Sequence, residues 1–481
     1  MSTGYDALSA RQVSGPVTSG DGVVSPQPAA PLPDGYVEEE FFIGGTATRY
    51  TSDTPEDGFW AADPDGEADY ETRVIVRRPE RPDDFSGTVI VEWLNVTAIE
   101  ASPDWGYAAQ EIGREGHAYV AVSAQAQGVV GGDARLDVSV NEEAAADVGE
   151  DSALERDGLV NADPERYGTL THPGDAYAYD IFSQVGRVLV DDSDVLLGGL
   201  EPDLVIASGQ SQSAAFLTTY VNAVHPLVDV YDAFMIHSRG ESVAPIDGAF
   251  ASDLDDGDEA AVPVDGVLVR TDLDVPVFIF ETESDLTLLG YATARQPDAD
   301  LIHTWEVAGT AHTDAHVFRV FVGGPRDAGL GSLIECDDPI NTGPHHETFQ
   351  AALNHLVTWA SGGPPPPEGA RLEVDEDGDE ATIVRDDNGI ALGGVRNPLV
   401  DVPVVVTTGD PPEPADAGVC RLFGSTDELD QATLLDLYGS ADVYLDEFAA
   451  SAEKAVNDGF LLRPDADELL TEAEMNAALF G

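Results

Sequence analysis

A serine hydroxyl becomes a nucleophile only when a base stands within hydrogen-bond reach and a third group orients that base. The segment Leu204-Val205-Ile206-Ala207-Ser208-Gly209-Gln210-Ser211-Gln212-Ser213-Ala214-Ala215 suits the first of these parts. A short apolar run leads into G-x-S-x-S and then into a helix-forming stretch, so Ser211 falls on a sharp strand-to-helix turn. Bulky neighbours would clash in such a turn, and the residues two places to either side, Gly209 and Ser213, are small. Beside a helix N-terminus, Ser211 would also face free N–H groups and the positive end of the dipole, which favour a developing oxyanion.

The partners must come from elsewhere, and two later apolar runs end in suitable residues. Val275–Glu281 runs into Thr282-Glu283-Ser284-Asp285, and Leu301–Gly309 runs into Thr310-Ala311-His312. Serine, acid and histidine thus follow in that order, the last two each at the end of a late strand. Of the ten histidines, His312 and His316 directly follow the final strand-like run. His312 is the nearer and is the expected base; His316, four residues on, is expected to pack on a helix. Asp285 is the expected acid, with Glu283, two residues closer to the strand, as the alternate. The oxyanion hole is expected from the N–H of Gln212 and one from the loop Asn95-Val96-Thr97-Ala98, with Val96 and Thr97 as candidates.

Such a set performs two-step acyl transfer and needs neither a metal nor an organic cofactor. Other polar residues have competing readings. His172, in His-Pro-Gly-Asp ahead of a helix, either lines the substrate pocket or belongs to an N-cap region with Asp175. Arg239 follows a strand end and either binds an acidic substrate group or makes a structural ion pair. The adjacent His345 and His346 point in different directions, and no cysteine or carboxylate arrangement completes a zinc set around them.

The elements that must position these residues alternate. Strand-like runs at Glu39–Tyr50, Glu71–Arg78, Gly87–Asn95, His117–Gln125, Asp203–Ala207, Tyr231–His237, Val275–Glu281 and Leu301–Val307 make eight strands, and helical patterns separate most of them. This predicts an α/β architecture, a mostly parallel eight-stranded sheet with helices on both faces and an antiparallel start. The near-continuous apolar strands suit burial on both sides. Residues 1–36 read as an extended arm, and 37–362 as the core, with cap-like insertions near 131–168 and 240–273. After the Pro-rich break Gly362–Glu368, residues 368–481 read as a strand and helix appendage.

The 481 residues carry 22 Lys plus Arg against 91 Asp plus Glu, a net charge of −69. That field repels phosphate backbones and anionic lipids, so a small-molecule substrate is expected rather than nucleic acid or membrane. No stretch approaches the roughly 18 apolar residues of a membrane helix, and the N-terminus lacks a charged start and an apolar signal core, so a cytoplasmic location is expected. Hydrophobic residues reach 42%, enough for a large core. Lys454 is the single lysine, and the acidic excess runs along the whole chain, a balance that resembles haloarchaeal proteins. Cys336 and Cys420 are too few for a disulfide scaffold, but sufficient for one bridge.

Several segments together carry a family resemblance: Gly35–Glu40, Gly87–Val96, His172–Tyr177 with Tyr179–Gln184, the Gly-Gln-Ser-Gln-Ser turn, and Trp305–His312. Over residues 35 to 425 the chain resembles the α/β-hydrolase superfamily, and within it the "alpha/beta hydrolase domain-containing" proteins. Ser213 departs from the usual glycine of the turn. The resemblance implies the hydrolase fold and a Ser211–His312–Asp285 triad; carboxylic ester hydrolysis is the commonest activity of the superfamily. A non-catalytic ligand-binding protein of the same fold, and an acyltransferase or amidase with the same triad, are the competing readings. The oligomeric state is left open.

Overall fold

The computed structural model describes residues 12–20, 22–26, 30–97, 99–132, 158–248, 264–322, 336, 339–375, 381–410 and 418–481. Most of the insertion expected at 131–168, and the middle of that expected at 240–273, lie outside the described residues.

Nine strands form one sheet: β1 (Gln12–Ser14), β2 (Tyr36–Thr51), β3 (Asp63–Pro79), β4 (Thr88–Trp93), β5 (Ala118–Val122), β6 (Leu204–Gln210), β7 (Ala233–His237), β8 (Val277–Thr282) and β9 (Ile302–Val307). Their spatial order is β1-β2-β3-β5-β4-β6-β7-β8-β9. The run β5-β4-β6-β7-β8-β9 is parallel throughout. The entry through β1, β2 and β3 is antiparallel. The reversal between β5 and β4 places β4 and β6 side by side, where the carboxyl ends of parallel strands open a crevice for ligands.

All residues of the six parallel strands are buried. Side chains alternate between faces along a strand, so these strands are mostly apolar on both, with a few buried acids such as Glu92, Glu281 and Glu306. On one face Val89, Val91, Trp93, Val205, Ala207, Phe234 and Ile279 pack with Phe182 of α2 (Ala178–Asp191) and Phe216 of α3 (Gln212–Thr219). On the other, Ile90, Ile206, Met235 and Phe278 pack with Trp105 and Ile112 of α1 (Pro103–Glu115). Two further helices frame the site: the short α4 (Glu283–Thr287) after β8 and α5 (Ala315–Val322) after β9. Past these, α6 (His345–Ala360) covers the second face with Phe349 and Leu353.

The ninth strand, β1, lies in the arm expected to be only extended. Gln12, Val13 and Ser14 pair with Gly44, Ile43 and Phe42, and three residues are too few to show a period. β3 begins at Asp63, eight residues before the expected start. Its first half, Asp-Pro-Asp-Gly-Glu-Ala-Asp, is mostly exposed and has no apolar alternation; pairing with β2 supplies what side-chain burial does not.

The C-terminal segment packs on the core. Val395 extends the sheet beyond β9, donating to Glu306 O at 2.7 Å and accepting from Ala308 N at 3.0 Å. Phe460 meets the Trp305 ring edge-on at 5.0 Å. The Arg114 guanidinium on α1 holds Asp465 at 2.6 Å. Helices α7 (Gln431–Tyr438), α8 (Ala441–Asp458) and α9 (Arg463–Asn476) gather their own core around Leu434, Tyr444, Phe448 and Leu469. A disulfide joins Cys336 to Cys420.

Candidate active site

β6 ends at Gln210 and α3 begins at Gln212, leaving Ser211 alone in the turn at φ 62° and ψ −121°. A residue with a side chain rarely adopts positive φ, and such a conformation persists only where the surroundings enforce it. Here Ser211 N–H donates to His237 O at 2.9 Å, and Ser211 O accepts Ala215 N–H at 3.1 Å to open the helix. The small flanks have a measurable reason. A Cβ on Gly209 would lie 3.1 Å from Ser213 O and 3.2 Å from Ser213 Cβ, so neither position has room for bulk. Ser211 is half-buried, whereas the rest of β6 and α3 is buried.

The structure brings the three expected residues together. His312 Nδ1 lies 2.6 Å from Asp285 Oδ1, and His312 Nε2 lies 2.8 Å from Ser211 Oγ. With Asp285 ionised, Nδ1 must carry the proton, leaving Nε2 as acceptor for the serine hydroxyl. Asp285 Oδ2 accepts Thr282 N–H and Thr282 Oγ1–H, each at 2.7 Å, and in this way caps α4. Burial alone would push the Asp285 carboxyl up, but His312 and the Thr282 donors hold it below the usual carboxylate range.

Glu283, the alternate acid, is held elsewhere. Its carboxylate accepts Gly309 N–H at 2.5 Å, Gly409 N–H at 3.0 Å and Arg385 Nη2–H at 2.7 Å. Burial raises its pKa, and Arg385 with the two amides opposes that. Glu283 thus ties the turn after β9 to the C-terminal segment. Glu283→Gln is expected to lower the unfolding free energy by about 3 kcal/mol, the scale for breaking one side of a buried ion pair. Turnover by the folded variant should stay within roughly tenfold, since the Ser211–His312–Asp285 hydrogen bonds are untouched. Denaturant titration beside ester kinetics checks both parts.

The loop after β4 is pinned on the turn: Asn95 Nδ2–H donates to Gln210 O at 3.0 Å, and Asn95 and Ala101 exchange backbone bonds of 2.9 and 2.7 Å. Val96 N–H makes only a long 3.4 Å contact to Gln212 Oε1. Thr97 N–H is committed to Asn95 Oδ1 at 2.8 Å, so Val96 is the better placed of the two candidates. Gln212 opens α3, where an N–H has no partner within the helix.

The remaining candidates sit apart from the triad in their contacts. His172 Nε2–H donates to Ala124 O at 2.9 Å and Nδ1 accepts Gly174 N–H at 3.2 Å, so both ring nitrogens hold backbone. Asp175 instead bonds Ala126 N–H at 2.7 Å. Arg239 is buried beside Tyr291, its Nη2–H on Val267 O at 2.6 Å, and it faces no solvent. His345 and His346 turn to different partners, His237 and Tyr107 O. His316 donates to Gly106 O at 3.3 Å and stacks on His346. At the opposite end of the strands, ligand atoms of His225, Asp229 and Asp274 lie within 4.8 Å of one another; both carboxylates are exposed, and none of the three touches the triad.

Sequence reading passed over several groups that shape the site. Gln210 Nε2–H donates to His312 O at 3.2 Å, and Ser284 Oγ accepts His312 N–H at 3.3 Å while donating to Gly409 O at 2.8 Å. Gln210 and Ser284 each neighbour a residue already singled out, but nothing in their types distinguishes them from solvated side chains. Asp104 and His237, the latter at the end of β7 on the same edge of the sheet, hold one another in the buried interior, and no spacing along the chain relates them.

The chain belongs to the family described as alpha/beta hydrolase domain (Abhydrolase_10), whose model matches residues 13–471. The fold expected from the sequence is therefore the one observed, and the family region takes in the arm strand β1 and nearly all of the C-terminal segment. No curated protein matches the chain. Among solved structures, fungal esterases from Rhizomucor miehei are similar at 12% identity, with 70% of this chain and 87% of that one covered and a TM-score of 0.33. Esterase Est22 is similar at 14% identity, covering 69% and 82%, with a TM-score of 0.31. A cold-adapted esterase from an Arctic intertidal metagenomic library is similar at 13% identity, covering 62% and 96%, with a TM-score of 0.29. Among the described residues, no helix is long and apolar enough to cross a membrane.

Proposed function

We propose that this protein is a serine hydrolase that cleaves carboxylic esters of small molecules through an acyl-enzyme intermediate. The observation that carries the reading is the continuous hydrogen-bond chain Ser211–His312–Asp285, with its nucleophile held at positive φ between a strand and a helix. His312 Nε2 takes the proton as Ser211 Oγ attacks the ester carbonyl. Asp285 keeps the imidazole in the accepting tautomer and stabilises the imidazolium. N–H groups of Gln212 and Val96 receive the oxyanion. His312 returns the proton to the departing alcohol, then activates water to release the acid.

The test is hydrolysis of p-nitrophenyl esters of graded acyl length by the wild-type chain in several-molar KCl. A burst of p-nitrophenol followed by slower turnover is the expected sign of acyl-enzyme. No turnover on any member, by protein whose fold circular dichroism verifies, would contradict the reading. Amide analogues and added alcohols in the same assay distinguish an amidase or an acyltransferase.

The charge balance supports a high-salt habitat of the haloarchaeal kind as part of this proposal. With −69 net charge, repulsion strains the compact state, and the Debye length shrinks from about 10 Å at 0.1 M salt to about 3 Å at 1 M. The melting temperature is therefore expected to fall steadily as KCl is diluted from several molar to about 0.1 M. A melting temperature indifferent to salt would contradict this. The Cys336–Cys420 bridge weighs against the cytoplasm expected from the sequence, since such bonds persist in oxidising surroundings.

A further inference from the structure

We propose that a second buried chain, Asp104–His237–His345, holds the nucleophile turn and the His312 loop in register, making His237 and His345 positioning residues for catalysis. The inference rests on the hydrolase reading above, and the observations are these. His237 Nδ1 lies 2.6 Å from Asp104 Oδ1, and His237 Nε2 lies 2.7 Å from His345 Nε2. His345 Nδ1 lies 3.1 Å from the carbonyl of Ala311, the residue before His312. The main-chain carbonyl of His237 accepts Ser211 N–H at 2.9 Å. One imidazole pair therefore reaches both catalytic loops, the first through its backbone and the second through its rings.

The direction of the chain follows from chemistry. A carbonyl oxygen only accepts, so His345 Nδ1 carries a proton and donates to Ala311 O. Its Nε2 then has a lone pair and accepts His237 Nε2–H. If His237 is neutral, its Nδ1 accepts in turn, so the proton between His237 and Asp104 belongs to the acid. Burial agrees with this placement, raising the Asp104 carboxyl to about 7 and lowering the His237 imidazole to about 3. His345 is lowered by burial and by His237 beside it. The same two imidazoles are faced by Glu92 behind Asp104, by Asp285 and by His312 itself. The charge-free state is the one compatible with a site already holding the His312–Asp285 pair.

Packing fixes the rings as well. Tyr107 stacks on His345 at 4.0 Å and 16°, and Phe349 stacks on His237 at 4.2 Å and 22°. Glu92 accepts Asp104 N–H and Trp105 N–H at 3.0 Å each and Tyr119 O–H at 2.6 Å, anchoring the far end. A rigid chain of this length transmits the position of one loop to the other. A misplacement near 1 Å between nucleophile and base costs on the order of a hundredfold in rate.

Two measurements test this. In the wild-type chain labelled with 15N-histidine and held at about pH 5.5, where Asp104 keeps its proton, a through-hydrogen-bond coupling between two imidazole nitrogens is expected. Its two rings should stay neutral from about pH 5 to 8, across the range where ordinary histidines titrate. Absence of that coupling, or titration of either ring near 6.5, would overturn the chain. The second measurement is the rate of Ser211 labelling by a fluorophosphonate. His345→Phe keeps a stacked ring but breaks both hydrogen bonds and should slow labelling about 10- to 100-fold. His345→Gln, whose amide can donate to Ala311 O and accept from His237, should restore it to within about threefold. A folded His345→Phe that labels at the wild-type rate overturns the positioning role and leaves the hydrolase reading intact. A wild type that never labels removes the hydrolase reading and positioning together, while the coupling still judges the chain. Should His345→Phe not fold, the wild-type coupling and the His345→Gln rate decide.

Discussion

Ester turnover by Ser211→Ala is expected to fall about 10^4- to 10^6-fold, the range for removing the nucleophile from a triad that acts as a unit. The variant should fold as well as the wild type. Ser211 Oγ makes one hydrogen bond, to His312 Nε2 at 2.8 Å, from a half-buried position where water can replace it. Ser211→Gly should lose the same activity yet gain stability, because glycine adopts φ 62° freely and the strain at such a position is about 1–3 kcal/mol. Steady-state kinetics beside denaturant unfolding in KCl checks the pair. Retained turnover in Ser211→Ala, or a Ser211→Gly protein less stable than wild type, would contradict the account of the turn.

The second large effect comes from a substitution of one atom. Asp285→Asn is expected to lower kcat by about 10^3- to 10^4-fold with little change in KM. The reason lies in Thr282, which presents two donors, its N–H and its hydroxyl, to Asp285 Oδ2 at 2.7 Å each. An asparagine there must turn its carbonyl oxygen toward them, because an amide N–H cannot face the Thr282 N–H. Its NH2 then points at His312 Nδ1 and forces the proton onto Nε2. Imidazole in that tautomer cannot accept the serine proton. A companion substitution, Thr282→Val, removes one of the two donors and should recover part of the loss when combined with Asp285→Asn. Equal kcat in Asp285→Asn and wild type would contradict the assignment of the acid.

Much of this site is readable from chain order because parallel sheets place functional residues at strand ends. Ser211, Asp285 and His312 each follow an apolar run, and such runs leave a strong sequence signal when both faces are buried. What separates Asp285 from Glu283 is not local. Both are fully buried in the same short helix, and the choice depends on Arg385, Gly309 and Gly409, which the fold brings in from elsewhere. The same holds for Asp104, His237 and His345. They come from α1, the end of β7 and the start of α6, and no spacing along the chain relates them. The arm strand β1 escaped for a different reason: an edge of three residues, half of its surroundings solvent, carries no period. The acidic surface hides less than it seems to from composition alone, since several acids, among them Glu40, Glu92, Glu281 and Glu306, are buried in the core.

The central claim is that Ser211 is an activated nucleophile, and covalent labelling addresses it most directly. The wild-type chain in several-molar KCl would be treated with a fluorophosphonate and the modified peptide identified by mass spectrometry, with Ser211→Ala alongside. The expected result is a single adduct on Ser211 that is absent from the variant. A folded wild-type protein that stays unmodified, or an adduct at another serine that persists in Ser211→Ala, would contradict it.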